Sequence, residues 1–460
     1  MQVNESSLVG ARDVGAEIGV IGAGYVGLTS GACFAYLGHE VVCADVDESK
    51  INLLNSGRIG IHEQGLAAKV EDGLTSNRLS FVTDPAEAVA KADFVFLCLP
   101  TPPRKDGSAD LSFISSAVSE IARVMQPDTI LVSKSTVPPG TSELLEQILA
   151  RADVTDVAVA HNPEFLREGT AVNDFLQPDR VVIGANDQSV ADKIAGLYAN
   201  IPTQIVVTDT TTAETTKYVA NAFLATKLSF VNSAAALCEV LGADVKDVMT
   251  ALGHDRRIGA GFLKPGPGWG GSCLPKDSRA LVNVAATAGY DFSLLRSALE
   301  VNEQQFDRIV AKVADRVVLE GARVALLGLA FKAETNDIRS SPSLEIAQRL
   351  IDAGAKVHAY DPAVTAEDLH EITGLVVESD AYAACARASA LLIATEWNEF
   401  RQLDVERIVT LMYDHHIIDA RNLLHRDLWV KHGFTYTGVG IFNSDEKLPV
   451  RVPARQARQE

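Results

Sequence analysis

Positive charge is scarce in this chain: 41 Lys and Arg stand against 60 Asp and Glu, a formal net charge of -19 over 460 residues. So acidic a balance argues against nucleic acid and anionic membranes as partners, because any phosphate-bearing ligand must be met by locally placed basic groups. Cysteine is sparse as well. The six, at positions 33, 43, 98, 238, 273 and 385, have neither metal-ligand spacing nor the density of a disulfide framework, which points to a reducing compartment and to no metal. No continuous apolar core opens the chain between Met1 and Ala16, so no secretory signal is read, and no later run approaches the length of a membrane span. The expected location is cytoplasmic.

What is present is an ordinary globular composition, 47% hydrophobic and 22% charged, long enough for two or three domains. In the first half, short apolar runs at residues 17–21, 40–45, 94–99, 129–133, 157–160 and 180–184 alternate with helical patterns, which implies right-handed crossovers and a parallel sheet. Residues 210–241 lose all turn signals and read as one long helix, longer than most, suited to bridging domains or carrying a subunit interface. A second strand and helix series starts at residues 323–328 and continues through 356–361, weakly echoing the start of the chain.

Gly22-Ala23-Gly24-Tyr25-Val26-Gly27 follows a predicted strand and opens a predicted helix, the context that gives a glycine fingerprint its meaning. Gly22 permits a tight turn, Gly24 lets backbone meet a pyrophosphate, and Gly27 allows close helix and strand packing. Asp45 lies 18 residues beyond Gly27. A carboxylate there accepts from a ribose 2′-hydroxyl and repels a 2′-phosphate, so NAD is preferred over NADP. The fold class that follows is α/β: two Rossmann-like doubly wound parallel-sheet domains joined by a long central helical region. The expected boundaries are a tail at 1–16, an NAD-binding domain at 17–209, a central helical region at 210–316, a C-terminal domain at 317–444 and a tail at 445–460. The second domain has Gly328-Leu329-Ala330-Phe331-Lys332 in place of a full fingerprint, which suits a different nucleotide.

The chemistry-bearing groups lie elsewhere. Cys273 sits in Gly270-Gly271-Ser272-Cys273-Leu274-Pro275-Lys276-Asp277. Two glycines allow close backbone approach, Pro275 suits a first helical turn, and a thiol at a helix N-terminus is favoured as thiolate. Lys276 and Asp277 fall on the same helical face. Lys217 and Asn221 are four apart on the long helix. The loops at 99–103 and 135–140 follow predicted strand ends, where ligands gather in this fold, and residues 162–169 (Asn-Pro-Glu-Phe-Leu-Arg-Glu-Gly) follow another.

Together these segments resemble the UDP-glucose 6-dehydrogenase family within the wider group of nucleotide-sugar dehydrogenases, over roughly residues 18–422. The match rests on residues 22–28, 135–140, 162–169, 217–223, 257–259, 270–277, 331–332 and 337–339, and residues 177–184 look more like the UDP-glucose than the GDP-mannose enzymes. Trp269 stands where Tyr or Phe is usual, and Leu274 where Phe is common. The resemblance implies Cys273 as nucleophile with Lys217, Asn221 and Asp277 around the reacting oxygen, and Glu164 with a water near Thr136 assisting proton transfer. It implies NAD contacts at Lys50, Pro100, Thr101, Thr136, Glu168 and Arg339 beside the fingerprint, with Tyr25 and Val26 in it. It implies a UDP-glucose site using Phe165, Leu166, Phe262, Gly270, Lys332 and Arg421, with Arg257 reaching across a homodimer.

The expected reaction oxidises the C6 alcohol of UDP-glucose to UDP-glucuronate with two NAD reduced, through an aldehyde, a Cys273 thiohemiacetal and a thioester. The base is open at this point: neutral Lys217, or a water coupled to Glu164 or Asp277. Three alternatives stand beside it: a GDP-mannose or UDP-N-acetylmannosamine dehydrogenase, a two-electron dehydrogenase using Lys217 and Asn221 alone, and a nucleotide-binding sensor without catalysis.

Overall fold

The computed structural model describes residues 15–369 and 372–442; of the two expected tails only Gly15 and Ala16 lie within them. The described residues form two compact units that divide between Val219 and Ala220. The division falls inside the helix Thr210–Leu241, which spans the full stretch expected of it.

The first unit is built on eight strands: β1 (Glu17–Ile21), β2 (Glu40–Ala44), β3 (Leu79–Val82), β4 (Phe94–Leu97), β5 (Ile130–Ser133), β6 (Ala158–His161), β7 (Val181–Ala185) and β8 (Ile205–Thr208). Their order is β3-β2-β1-β4-β5-β6-β7-β8, the doubly wound arrangement extended at one edge. The strand order reverses between β1 and β4, and ligands bind outside the carboxyl ends of strands at such a point. Central strands β4 and β5 are wholly buried, as parallel strands covered on both faces must be.

One junction departs from the all-parallel expectation. β6 and β7 pair antiparallel, while β7 and β8 pair parallel. The connection between β6 and β7 carries only the six-residue helix Ala171–Leu176 and brings the chain back without the long crossover that parallel neighbours need. It thereby lays residues 162–180 beside the sheet's carboxyl edge. Beneath it Phe34, Phe96, Phe175 and Tyr198 form an aromatic cluster with ring centroids 5.0–5.9 Å apart.

The second unit carries β9 (Arg323–Leu327), β10 (Lys356–Tyr360), β11 (Leu375–Val377), β12 (Ala390–Ile393), β13 (His416–Asp419) and β14 (Thr435–Gly438), all parallel, in the order β11-β10-β9-β12-β13-β14. Gly328, just past β9, holds φ +99°, the value Gly22 holds just past β1. The acidic residue after β10 is committed internally, however. Asp361 is buried and accepts from the N–H groups of Leu329 and Ala330 at 2.7 and 3.0 Å and from Trp397 Nε1 at 3.1 Å.

By length and composition the helix Thr210–Leu241 is long and apolar enough to cross a membrane, which corrects the expectation that no segment approaches a span. Its polar residues Glu214, Lys217 and Asn221 interrupt the apolar run in the sequence, yet each is buried against a polar partner of its own unit.

Candidate active site

The turn after β1 separates two crowded glycines from an open one. A Cβ on Gly22 would meet Cys98 O at 2.7 Å, and one on Gly27 would meet Gly22 O at 1.8 Å, so neither position tolerates a side chain. A Cβ on Gly24 would meet nothing within 4 Å. That open space at the start of the helix Tyr25–Tyr36 leaves room for an anion against the helix N-terminus. Asp45 stands at the end of β2 with Oδ2 accepting from Ala23 N at 2.9 Å and from Lys50 Nζ at 2.8 Å. Its other oxygen, Oδ1, accepts from Asp47 N at 3.1 Å and keeps one further lone pair. Val26 is half-buried on the same helix.

The loops after β4 and β5 are tied together: Thr101 Oγ1 donates to Thr136 O at 2.8 Å, beside exposed Pro100. In the loop after β6, Glu164 Oε1 lies 2.8 Å from Lys217 Nζ, with both side chains buried. Glu164 Oε2 accepts from Leu166 N at 2.6 Å, which fixes the carboxylate in the plane of its own loop. The Phe165 ring is covered by the Arg180 guanidinium at 3.5 Å and has Lys217 Nζ at 5.3 Å. Glu168 is half-buried near the loop's end. A cavity of about 230 Å³ opens along this loop between Glu164, Phe165, Asp174, Arg180 and Lys134.

Two residues that hold this part of the first unit, Lys134 and Glu63, carry no signal in the sequence, and a third, Arg180, carries none for its role. Lys134 is buried and gives its ammonium to Asn162 Oδ1 at 2.9 Å and Tyr198 OH at 3.3 Å. Burial pulls its pKa down to about 8, against the opposing pull of Cys98 and Glu164. Glu63 is buried and bonds Tyr25 and the Gly169 amide. Arg180 lay inside a segment singled out for its resemblance, but only the ring contact reveals its place; burial lowers its pKa as well.

In the second unit Cys273 is the N-cap of the helix Leu274–Thr287, with Pro275 in its first turn. It is exposed, and the other five cysteines are buried. Burial pushes Cys33, Cys98 and Cys385 up to about 12, which makes them inert. One turn on, Asp277 is fully buried and accepts from Asn221 Nδ2 at 2.6 Å and from Lys276 Nζ at 2.6 Å. Asn221 is thereby aimed by a fixed carboxylate.

The segment leading into Cys273 is packed through backbone. A Cβ on Gly270 would meet Ser340 O at 1.9 Å, and one on Gly271, itself at φ +86°, would meet the Phe331 ring at 2.8 Å. Trp269 is accommodated because its indole N–H donates to Ser229 Oγ at 2.9 Å while its amide donates to Asn302 Oδ1 at 2.8 Å. Arg421 donates to Phe331 O at 3.1 Å and Ala394 O at 2.8 Å and pairs with Glu396 at 3.0 Å. Its guanidinium lies 3.0 Å from where a Cβ on Gly266 would sit, so Arg421, the Phe331-Lys332 turn and the 266–271 segment meet in this unit. Phe262 holds φ +58° and is exposed, a conformation costing a residue of this size about 1–3 kcal/mol. Arg257 and Arg339 are exposed, each chelating an acid two residues before it, Asp255 and Asp337.

Comparison with known proteins matches successive stretches of the chain to one family. Residues 16–202 match the NAD binding domain of the UDP-glucose/GDP-mannose dehydrogenase family, residues 211–304 its central domain and residues 325–426 its UDP binding domain. The chain is 45% identical over 434 residues to a UDP-glucose 6-dehydrogenase of Rhizobium meliloti, covering 92% of this chain and 99% of the relative. It is 42% identical to the UDP-glucose 6-dehydrogenase TuaD of Bacillus subtilis, covering 92% and 93%. A solved UDP-glucose dehydrogenase from Pyrobaculum islandicum superposes with a TM-score of 0.87 at 36% identity, over 94% of this chain and all of that one. An open glycine turn facing Asp45, a buried Glu164–Lys217 pair and a lone exposed thiol on a helix N-terminus fall within successive domains of one family pattern, and the chain belongs to the UDP-glucose/GDP-mannose dehydrogenase family.

Proposed function

We propose that this chain oxidises UDP-glucose to UDP-glucuronate, consuming two NAD and one water and releasing two NADH and three protons. The observation that carries the reading is Cys273: of six thiols only this one is exposed, and it caps a helix whose first turn holds Asp277 against Asn221. A simple alcohol oxidation has no use for it. The names of the curated relatives support UDP-glucose as the substrate.

The residues that would hold NAD are Gly22, Gly24 and Gly27 at the pyrophosphate, Asp45 and Lys50 near the ribose, and Tyr25, Val26, Pro100, Thr101, Thr136, Glu168 and Arg339 around them. NAD, when bound, accepts a hydride from C6 in each of the two oxidations. Lys217, paired with Glu164 at 2.8 Å, donates to the C6 oxygen, and Asn221 donates beside it. Glu164 takes the proton through a water near Thr136. Cys273 then adds to the aldehyde carbon, creating a tetrahedral centre from which a second hydride can leave, and carries the acyl group as a thioester. Water displaces the thiol, with Glu164 or Asp277 accepting its proton.

Phe165, Leu166, Phe262, Gly270, Lys332 and Arg421 contact the nucleotide sugar, and Arg257 belongs to the site of a partner subunit, which accords with its 88% exposed side chain. Three functional regions follow: the NAD domain at 17–209, the central region at 210–316 and the UDP-sugar domain at 317–444. A homodimer is supported by the helix Thr210–Leu241, where Phe223, Phe230 and Leu237 recur every seventh position and are 56–67% exposed. The free cysteines suit a cytoplasmic location.

The test is to offer UDP-glucose, UDP-galactose, UDP-N-acetylmannosamine and GDP-mannose with NAD and count NADH per product. Two NADH with UDP-glucose is the expected result. One NADH would leave a two-electron dehydrogenase, and turnover of GDP-mannose alone would overturn the substrate.

A further inference from the structure

Glu63 belongs to no motif in the sequence, yet it is buried at the meeting point of two segments that the proposed reaction needs. It arrives on the turn preceding the helix Leu66–Thr75. Tyr25, the first residue of the helix Tyr25–Tyr36, donates its phenol hydrogen to Glu63 Oε2. The main-chain N–H of Gly169 donates to the same oxygen at 2.7 Å and lies 3.0 Å from the Tyr25 hydroxyl oxygen. Val172 N donates to the other oxygen at 3.5 Å. One carboxylate oxygen therefore holds the dinucleotide turn and the end of the 162–169 loop at once. Burial, then the hydrogen bond to Glu63, push the ionisation of Tyr25 far up, so the phenol stays a donor.

We propose that Glu63 is a positioning residue that couples NAD binding at the glycine turn to the ordering of the 162–169 loop. Tyr25 follows Gly24, the one glycine of the turn whose Cα faces open space, so a ligand seated there fixes the start of the helix and with it the phenol. Glu63 is 7% exposed; with water largely excluded, the Tyr25 hydroxyl and the Gly169 amide find in its carboxylate the acceptor that bulk solvent does not supply. Fixing Gly169 restrains the five residues back to Glu164, whose carboxylate is bonded to its own loop at Leu166 and paired with Lys217. The coupling is reciprocal: an ordered loop raises the affinity of the turn for NAD. It rests on the reading that NAD occupies the Gly22–Gly27 turn.

Hydrogen exchange of the full-length protein, with and without saturating NAD, tests it in the native chain, Glu63→Gln and Tyr25→Phe. In the native protein NAD is expected to slow exchange in peptides spanning both 22–28 and 162–172. In each variant saturating NAD still protects the first peptide but no longer the second, while the Kd for NAD rises by about tenfold, a typical coupling magnitude. NAD protection of 162–172 that is as strong in both variants as in the native chain overturns the proposal, because a merely structural clasp would give that result. Absence of protection at 22–28 in the native protein instead overturns the underlying placement of NAD, and the coupling with it. Should Glu63→Gln fail to fold, Tyr25→Phe, which removes one hydroxyl, decides the matter.

Discussion

Lys217 Nζ lies 2.8 Å from Glu164 Oε1 with both side chains buried, so each charge depends on the other rather than on water. Removing one partner of such a pair costs roughly 3–5 kcal/mol because the survivor is left uncompensated. Lys217→Met and Glu164→Gln are each expected to lower the urea midpoint strongly. The double variant recovers much of that loss and remains inactive, since losing an oxyanion donor alone costs about 10²–10³ in kcat. Additive stability losses in the double-mutant cycle would show the two groups to be independent.

Cys273 separates from this pair by its exposure. Cys273→Ser exchanges an exposed sulfur for an oxygen without emptying a core position, so its thermal midpoint should match the native protein within about 0.5 kcal/mol of stability. Steady-state NADH production is expected to collapse, with enzyme-bound ester or aldehyde-level product recoverable by mass spectrometry. Unchanged turnover would remove the covalent route.

How much of this could be read in the sequence depended on the range of the interactions. β1, the glycine turn and the helix after it are local, as is their echo at β9 and Gly328, and Pro275 marks the helix that Cys273 caps. Residues 210–241 form one helix because nothing in them interrupts one. Glu63 was invisible because its partners Tyr25 and Gly169 lie 38 and 106 residues away. Lys134 was equally silent, a lysine that reads as solvent-facing until its ammonium is found on Asn162 and Tyr198. The reversal at β7 was missed for a related reason: apolar runs report burial of a strand and carry no sign of its direction. Strands β3, β8 and β11 to β14 carry no strand reading in the sequence, β8 because its exposed Ile205, Val206 and Val207 occupy a sheet edge rather than a core.

The glycine turn offers a separation of folding from binding. Gly24→Ala adds a methyl where nothing lies within 4 Å, whereas Gly27→Ala drives one onto Gly22 O at 1.8 Å. Gly24→Ala should keep the native melting temperature and weaken NAD binding by at least about tenfold, the equivalent of about 1.4 kcal/mol. Gly27→Ala should lose stability before binding is measured. Calorimetric titration with NAD beside thermal melts checks both, and full NAD affinity in Gly24→Ala would move the pyrophosphate elsewhere.

The exposed seventh-residue series on the long helix makes the proposed subunit interface testable. Phe230 is 62% exposed at its centre, with Phe223 and Leu237 on either side. Phe230→Glu would bury a charge in any helix-to-helix contact through that stripe, a cost that favours the monomer. Light scattering should show a dimer for the native chain and a monomer for the variant. If Arg257 acts in a partner's site, activity falls with the dimer, and dilution of the native protein reproduces the loss.

His161 ends β6 wholly buried, immediately before the loop that carries Glu164. Burial, followed by the nearby Lys134 ammonium, lowers its pKa to about 3. The unfolded chain, with an ordinary histidine near 6.5, therefore binds more protons than the folded one between about pH 6.5 and pH 3. By linkage this group makes stability fall as pH drops through that window and contributes no slope above it. His161→Leu, neutral throughout, should flatten the pH dependence of the urea midpoint between pH 6.5 and 4 relative to the native protein, while leaving the dependence above pH 7 alone. An unchanged acid slope would mean that His161 is protonated in the fold, a second cation beside Lys134 that the Glu164–Lys217 pair would have to accommodate.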